Sequence, residues 1–146
     1  MTLHTLSRRS GFTLVELAVV VVIIGVLAAF AVPRFIASVE RSKAGEAFNY
    51  LATIHSSQER YHVRQGTYAD ELDDLDIELL PPEYFEVAAI AVPASEVDLE
   101  TGWELTLTRS GATAGYGRYT VVFNQDGYSA DDSTIPDEVS VVQTGS

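Results

Sequence analysis

One acidic residue, Glu16, lies inside a stretch that is otherwise suited to the interior of a membrane. It is the only charged residue from Phe12 to Val32. An isolated carboxylate in hydrocarbon is costly, and chains rarely carry one there without a use for it. Pairing with a cation stabilises such a carboxylate most where the dielectric constant is low. The sequence therefore has to supply a cationic partner for Glu16.

The element that must position Glu16 is a long apolar helix. Twenty-one residues in a helix span about 31 Å, close to the hydrocarbon thickness of a bilayer. Arg8 and Arg9 precede the apolar run, and Arg34 follows it alone. This double positive charge favours a cytoplasmic N-terminus and export of the residues that follow.

Two simpler explanations of the apolar run are a cleavable secretory signal and a plain signal anchor. The run is longer than a normal secretory signal, and the weak small-x-small match at Ala29 and Ala31 is followed by Val32 and Pro33 rather than by a polar start. A signal anchor fits the length, but it leaves Glu16 unexplained.

The stretch GFTLVELAVVVVIIGVLAAFAVPRF resembles the N-terminus of type IV pilins and of type II secretion pseudopilins. The shared features are a basic leader that ends in glycine, an acidic residue near the start of the apolar run, and a glycine and a proline within it: Gly11, Phe12, Glu16, Gly25 and Pro33. The resemblance covers about the first quarter of the chain closely. Beyond it, only the layout of a long helix before a β-rich region is shared.

The resemblance implies processing of the N-terminus. A prepilin peptidase would cleave between Gly11 and Phe12, remove residues 1–11 as a leader, and methylate the new amine of Phe12. That amine is the cation that Glu16 requires: within one helix the two groups are one turn apart, and in the family the pairing is with a neighbouring subunit. The resemblance thus implies an assembly role for Glu16.

Gly25 and Pro33 would allow the apolar helix to flex or unwind when subunits assemble. Glycine is a weak helix former, and proline cannot donate to the backbone ladder. The alternative is that both are merely tolerated, because transmembrane helices carry glycine and proline more often than soluble helices do.

The helix is predicted to continue after the membrane segment as an amphipathic second half. One face carries residues spaced by three and four, with apolar character: Ala47, Leu51, Ile54, Gln58 and Tyr61. Gly66 is the expected C-terminal cap. The predicted division is a leader (1–11), a transmembrane and polymerisation helix (12–33), an amphipathic helix (34–64) and a β-rich head (65–146).

The head is predicted to be an antiparallel sheet covering the amphipathic helix, which makes the fold α+β with a long kinked helix, as in type IV pilins. The candidate strands are Tyr84–Val92, Trp103–Arg109, Arg118–Asn124, Tyr128–Ala130 and Val139–Gln143. Apolar and polar residues alternate along the second of these, and in the third Tyr119, Val121 and Phe123 alternate with Thr120, Val122 and Asn124. Asp126-Gly127 predicts a hairpin.

Charge and composition exclude several classes of function. Residues 65–146 carry 17 acidic and two basic residues, which argues against nucleic-acid binding. No cysteine is present, so disulfides and thiolate sites are excluded. Five clustered acidic residues are interpreted as a solvated face rather than a calcium site, because the spacing of a calcium loop is absent: Asp70, Glu71, Asp73, Asp74 and Asp76.

No catalytic motif, metal site or cofactor site is predicted. His55 and His62 are two turns apart on the helix, too far to chelate one ion together, and we interpret both as packing or surface residues. His4 lies in the leader. The chain is therefore expected not to be an enzyme.

The predicted function is that of a structural subunit of a type IV pilus, a homo-oligomeric helical filament serving adhesion, motility or DNA uptake. Its partners would be a prepilin peptidase and the assembly platform in the inner membrane. The subunit would be stored in the inner membrane and then enter an extracellular pilus or a periplasmic pseudopilus. The alternatives are a type II secretion pseudopilin and, from another class, a single-pass anchored binding module that does not polymerise.

Overall fold

The computed structural model describes residues 11–112 and 115–142. This part of the chain has an α+β architecture, as predicted. Its elements are one 52-residue helix and four strands: α1 (Leu14–Gln65), β1 (Phe85–Val87), β2 (Glu104–Arg109), β3 (Thr120–Asn124) and β4 (Gly127–Ser129). A short 3-10 turn, Leu72–Asp74, lies between α1 and β1. The chain forms two compact units that divide between Phe35 and Ile36.

The C-terminal end of α1 follows from local sequence. At the C-terminal end, Gly66 adopts φ +79° and its N–H donates to the carbonyl of His62 at 2.8 Å. A glycine in this left-handed conformation is a common way to end a helix, so the predicted cap is confirmed. Pro33 lies inside α1. The kink expected there stays a prediction.

The four strands form one antiparallel sheet in the order β1-β2-β3-β4. Leu107 faces Val87 on one side and Val121 on the other, and Phe123 faces Tyr128. Because spatial order equals chain order, each connection joins neighbouring strands. The predicted hairpin is confirmed between β3 and β4, where Asn124 pairs with Gly127 and Gly127 takes φ +103°.

The core of the second unit lies between one face of α1 and one face of the sheet. Four of the five predicted helix-face residues are buried and Tyr61 is half-buried; the buried ones are Ala47, Leu51, Ile54 and Gln58. Phe48 packs edge-on against Phe123, with ring centroids 5.9 Å apart. The alternation predicted in β2 is confirmed, since Leu105 and Leu107 have no exposed surface. The packing of helix on sheet was therefore predictable from periodicity.

The first predicted strand, Tyr84–Val92, is too long. Regular pairing ends at Val87, and the next bridge joins Ala91 to Glu104. If the register in which Val87 pairs with Leu107 continued, residue 90 would lie opposite Glu104. The strand that contains β1 therefore has one extra residue before the bridge at Ala91. Such a bulge interrupts the ladder.

The last predicted strand, Val139–Gln143, is wrong for its described residues, and Gln143 lies outside them. Val139 lies in a turn and residues 141–142 lie in a bend. The backbone N–H groups of Val139 and Ser140 both donate to the carbonyl of Pro136 at 2.9 Å, which leaves them unable to pair with a strand. Val139 is nevertheless fully buried, so its apolar character reflects core packing from a turn.

The other three strand predictions are confirmed with small shifts of their ends. The second begins at Glu104 instead of Trp103, and the third begins at Thr120 instead of Arg118. The fourth covers Gly127–Ser129 instead of Tyr128–Ala130. Val122, predicted to alternate with the core-facing residues of the third strand, is buried.

Candidate functional site

The part of α1 that lies in the first unit presents an apolar surface on all its sides. Every residue from Gly11 to Phe35 except Ala28 is exposed, including Phe12, Phe30 and Phe35 at 70–78%. By length and composition this part of α1 could cross a membrane. So large a contiguous apolar surface is unfavourable in water, and it requires lipid or protein to cover it.

Thr13 and Glu16 form a reciprocal capping box at the start of α1. The Thr13 N–H and hydroxyl each donate to Oε2 of Glu16 at 2.9 Å, while the Glu16 N–H donates to the Thr13 hydroxyl oxygen at 3.2 Å. These contacts satisfy backbone donors that a helix N-terminus leaves unpaired. They also direct the Glu16 carboxylate back toward the residues that precede the helix. The contribution of Thr13 was missed, although the spacing Thr-x-x-Glu before an apolar run signals it.

Gly11 and Phe12 precede the helix and are exposed. The peptide bond between them therefore lies outside regular secondary structure. A Cβ atom added at Gly11 or Gly25 would meet no neighbouring atom within 4 Å. Neither glycine is therefore required by close packing within this chain.

Glu16 has no ion pair with the described residues: the salt bridges there involve Glu40, Asp76 and Glu86. Its hydrogen bonds to Thr13 are both accepted by the same oxygen, Oε2. The structure brings the Glu16 carboxylate into contact with Thr13, the residue that follows Phe12.

A second charged group, which sequence reasoning missed, is buried between α1 and the sheet. The Glu40 carboxylate accepts hydrogen bonds from Arg109 Nε at 2.5 Å and Nη2 at 3.2 Å, and both side chains are 1% exposed. The Tyr119 hydroxyl donates to Glu40 at 3.2 Å, and Lys43 Nζ lies 3.3 Å away. The sequence does contain a signal for this burial. Arg109 continues the alternation of Trp103, Leu105 and Leu107, whose side chains face the core.

Arg109 also binds three backbone carbonyls, those of Tyr84, Ser110 and Ala112. Burial raises the pKa of Glu40, but the hydrogen bonds and charge of Arg109 outweigh burial and hold that pKa below its usual range. The hydrogen bond from Arg109 to Glu40 in turn raises the pKa of Arg109. Burial and Glu40 raise the pKa of Tyr119. The cluster thus stays charged and ties α1 to the end of β2.

The two helix histidines bind backbone carbonyls. Nε2 of His55 lies 3.1 Å from the carbonyl oxygen of Gln125, and Nε2 of His62 lies 3.2 Å from that of Glu100. A carbonyl only accepts, so Nε2 carries the proton in both rings. Each histidine thus joins α1 to a loop by a hydrogen bond, in agreement with a packing role. The described residues hold no cluster of three metal-ligating side chains.

The five acidic residues after α1 are all exposed, as predicted for a solvated face. One of them, Asp76, has specific partners that were not anticipated. Its carboxylate accepts from Ser57 at 2.9 Å, Arg60 at 3.0 Å and Arg64 at 3.2 Å. The hydrogen bond from Arg60, then that from Ser57, lower the pKa of Asp76 to about 2.

Residues 6–32 match the family described as the prokaryotic N-terminal methylation motif. The type IV major pilin protein PilA of Myxococcus xanthus is 41% identical over 68 residues, which are 47% of this chain and 31% of the relative. The type IV narrow pilus major component PilA5 of Thermus thermophilus is 44% identical over 50 residues, 34% of this chain and 43% of the relative. The type II secretion system core protein G of Aeromonas hydrophila is 32% identical over 69 residues, 47% of this chain and 48% of the relative.

The matches thus span about a third to a half of these curated relatives, and no solved structure matches the chain. Two of the three relatives are named as major components of pili, in agreement with the expectation that this chain is a structural protein. Residues 6–32 thus carry the N-terminal methylation motif, and the homologues of this chain are type IV major pilins and the type II secretion core protein G.

Proposed function

We propose that this chain is a structural subunit of a type IV pilus that is stored in the inner membrane and polymerised into a helical filament. The observation that carries the proposal is the match of residues 6–32 to the methylation motif on a helix whose apolar surface is exposed. Homology to type IV major pilins supports it. The exposed helix would be covered first by lipid and then by the helices of neighbouring subunits.

Processing would remove residues 1–11 and leave Phe12 as a methylated N-terminal residue. The exposed, non-helical Gly11–Phe12 bond supports this step, because a peptidase needs an extended and accessible chain. The enzyme would be the prepilin peptidase of the same membrane. Arg8 and Arg9 would keep the leader on the cytoplasmic side, where that cleavage takes place.

Glu16 would pair with the Phe12 amine of a neighbouring subunit during assembly. The capping box supports this role because it presents the carboxylate at the start of the helix, one turn from the new N-terminus. Gly25 and Pro33 would provide the flexibility that docking of the helix requires. The assembly platform of the inner membrane would be the further partner.

The second candidate is a type II secretion pseudopilin, which homology to core protein G favours. It differs in where the filament lies: a pseudopilus stays in the periplasm, and a pilus extends outside the cell. A non-polymerising anchored binding module is the third candidate. It requires no cleavage and no role for Glu16.

Replacing Glu16 in the native host separates the two filament subunits from the anchored binding module, and the location of wild-type filaments separates the pilus from the pseudopilus. We expect Glu16→Gln to abolish filaments while the cleaved subunit stays in the membrane, since the uncharged amide cannot pair with the amine. Immunoelectron microscopy and shearing of cells measure the result and show whether wild-type filaments are external. Wild-type amounts of filament from Glu16→Gln would contradict the assembly role.

A further inference from the structure

The buried face of α1 has polar residues at its two ends and apolar residues between them. Glu40 begins this face and Gln58 ends it, with 1% and 0% of their surface exposed. Gln58 follows Glu40 by 18 residues, which is about five helical turns and about 27 Å along the axis. Because five is a whole number of turns, both side chains leave the helix in the same direction, toward the core. The other buried residues of the face are apolar except for a serine beside Gln58: Ala44, Ala47, Phe48, Leu51, Ile54 and Ser57.

Each polar end binds one place in the head. Arg109 Nε and Nη2 donate to the two carboxylate oxygens of Glu40. At the other end, the amide of Gln58 binds the backbone of Ala69 twice: Nε2 donates to the Ala69 carbonyl at 3.0 Å, and the Ala69 N–H donates to Oε1 at 2.9 Å. Paired hydrogen bonds at each end fix position and direction, because they are lost when the helix moves by a few ångström.

The apolar residues between these ends do not by themselves fix the position of α1 along its axis. Their spacing of three and four repeats, so a slide of one turn, about 5.4 Å, would put Ala47 in the place of Leu51. Apolar burial is non-directional, and such a slide loses contact area without leaving a polar group unpaired in the middle of the face. The same slide carries Glu40 away from Arg109, and separated buried charges are costly. The two ends therefore discriminate between positions that the middle accepts.

We propose that Glu40 and Gln58 form a two-ended register lock, which holds α1 at one axial position in the head while the apolar residues between them supply most of the stability. Fixing register at little gain in stability is an attested use of buried polar groups. The lock concerns the second unit alone, so it goes beyond the proposed function and does not depend on it. An array of identical copies would need such a lock, because identical contacts require every head to have the same position on its helix.

The distance between two spin labels measures the position of α1 in the head, and the chain has no cysteine to interfere with labelling. The reporter pair is Val63→Cys with Arg118→Cys, whose native side chains are 84% and 64% exposed. Val63 lies near the C-terminal end of α1. Arg118 lies near the strand end that carries Arg109, because Thr120 pairs with Thr108. The pair therefore spans the length of the interface, and its distance changes when α1 slides. Double electron–electron resonance of the full chain in detergent measures it.

The variant without the lock combines Glu40→Leu, Arg109→Met and Gln58→Leu, which replaces each polar side chain by an apolar one of roughly similar volume. It should remain folded by circular dichroism and show a second label distance about 5 Å from the first, one helical turn away. The variant Glu40→Leu with Arg109→Met and the variant Gln58→Leu each keep one end, and both should show the single wild-type distance. The matched control labels Ser42→Cys with Val63→Cys, both on α1, and its distance should be the same in every variant.

Four results would overturn the lock. A single wild-type distance in the variant without the lock would mean that apolar packing alone sets the register. Loss of folding in that variant would mean that the polar ends supply stability rather than position. A second distance in a variant that keeps one end would mean that the remaining end does not hold the helix. A change in the control distance would mean that α1 deforms instead of sliding.

Discussion

Two glutamates of α1 stand in opposite surroundings. Glu40 finds its cation, Arg109, within the same chain, and both side chains are buried. Glu16 is exposed and is held by Thr13, with no cation among the described residues. The sequence points to Glu16 because a charge inside an apolar run is visible locally. It does not point to the Glu40–Arg109 pair, since 69 positions separate the partners and only folding brings them together.

We expect loss of one partner of the buried pair to destabilise the head strongly. Arg109→Met leaves the Glu40 carboxylate buried with Lys43 and Tyr119 only, so the free energy of unfolding should fall by about 3–5 kcal/mol. Urea unfolding of the full chain in detergent, followed by Trp103 fluorescence, measures it. The control is Arg118→Met, whose partner Glu86 is 65% exposed, with an expected loss below about 1 kcal/mol. Equal losses from the two substitutions would contradict the account.

Asp76 should make stability depend on pH in the acid range. Its pKa in the folded chain is about 2, below its ordinary value of 3.8, because Arg60 and Ser57 bind the ionised form. A lowered folded-state pKa stabilises the fold above pH 4, and this contribution is lost as the pH falls toward 2. Wild type should therefore be more stable than Asp76→Asn at pH 6, and the difference should vanish near pH 2. Unfolding curves at a series of pH values measure this.

The double variant Arg60→Gln with Arg64→Gln is the matched control for Asp76. It removes the two cations and leaves the carboxylate and Ser57 in place. The acid dependence attributable to Asp76 should become smaller in this background. An unchanged dependence would mean that other groups cause it.

At the scale of elements, periodicity and glycine positions carry most of the information. The helix face from Ala47 to Gln58 and the end of α1 at Gly66 were predictable from spacing and from backbone conformation. The β1 bulge was not, because it depends on how Ala91 meets the partner strand. The burial of Val139 in a turn was not predictable either, since a short apolar segment looks the same whether it pairs as a strand or packs from a turn.

Two glycines of the second unit should respond to alanine with opposite sign. Gly66 has φ +79°, where a side chain is strained, so Gly66→Ala should destabilise the fold by about 1 kcal/mol. Gly45 lies inside α1 with no atom within 4 Å of an added Cβ, so Gly45→Ala should stabilise it by about 0.5–1 kcal/mol. Denaturant unfolding of both variants measures this. A loss of stability in Gly45→Ala would contradict the expectation that this position has room for a Cβ atom.

At the scale of the whole molecule, the two units differ in what covers their apolar surface. The unit after Phe35 buries a core of apolar side chains between helix and sheet, whereas the described residues of the unit before it, 11–35, expose nearly all of theirs. Composition alone predicted this contrast, since the apolar run and the acidic C-terminal region are separate in the sequence. What covers the apolar surface of the first unit cannot be predicted from any single residue.

A chain beginning at Ile36 should therefore be soluble without detergent and fold on its own. It keeps the Glu40 cluster and the complete sheet, and it loses the exposed apolar helix segment. Size-exclusion chromatography in detergent-free buffer and circular dichroism measure this, with the full chain as the control, which should aggregate under the same conditions. Aggregation of the shortened chain would mean that its fold depends on the residues removed.

The central claim is that the chain is a processed, filament-forming subunit, and the most direct test is the intact mass and N-terminal sequence of the protein from native membranes or sheared filaments. The account predicts a chain that begins at Phe12 and carries one methyl group on its amine. A chain that still begins at Met1, in cells with an active prepilin peptidase, would contradict it, because Glu16 would then lack the amine with which it is proposed to pair.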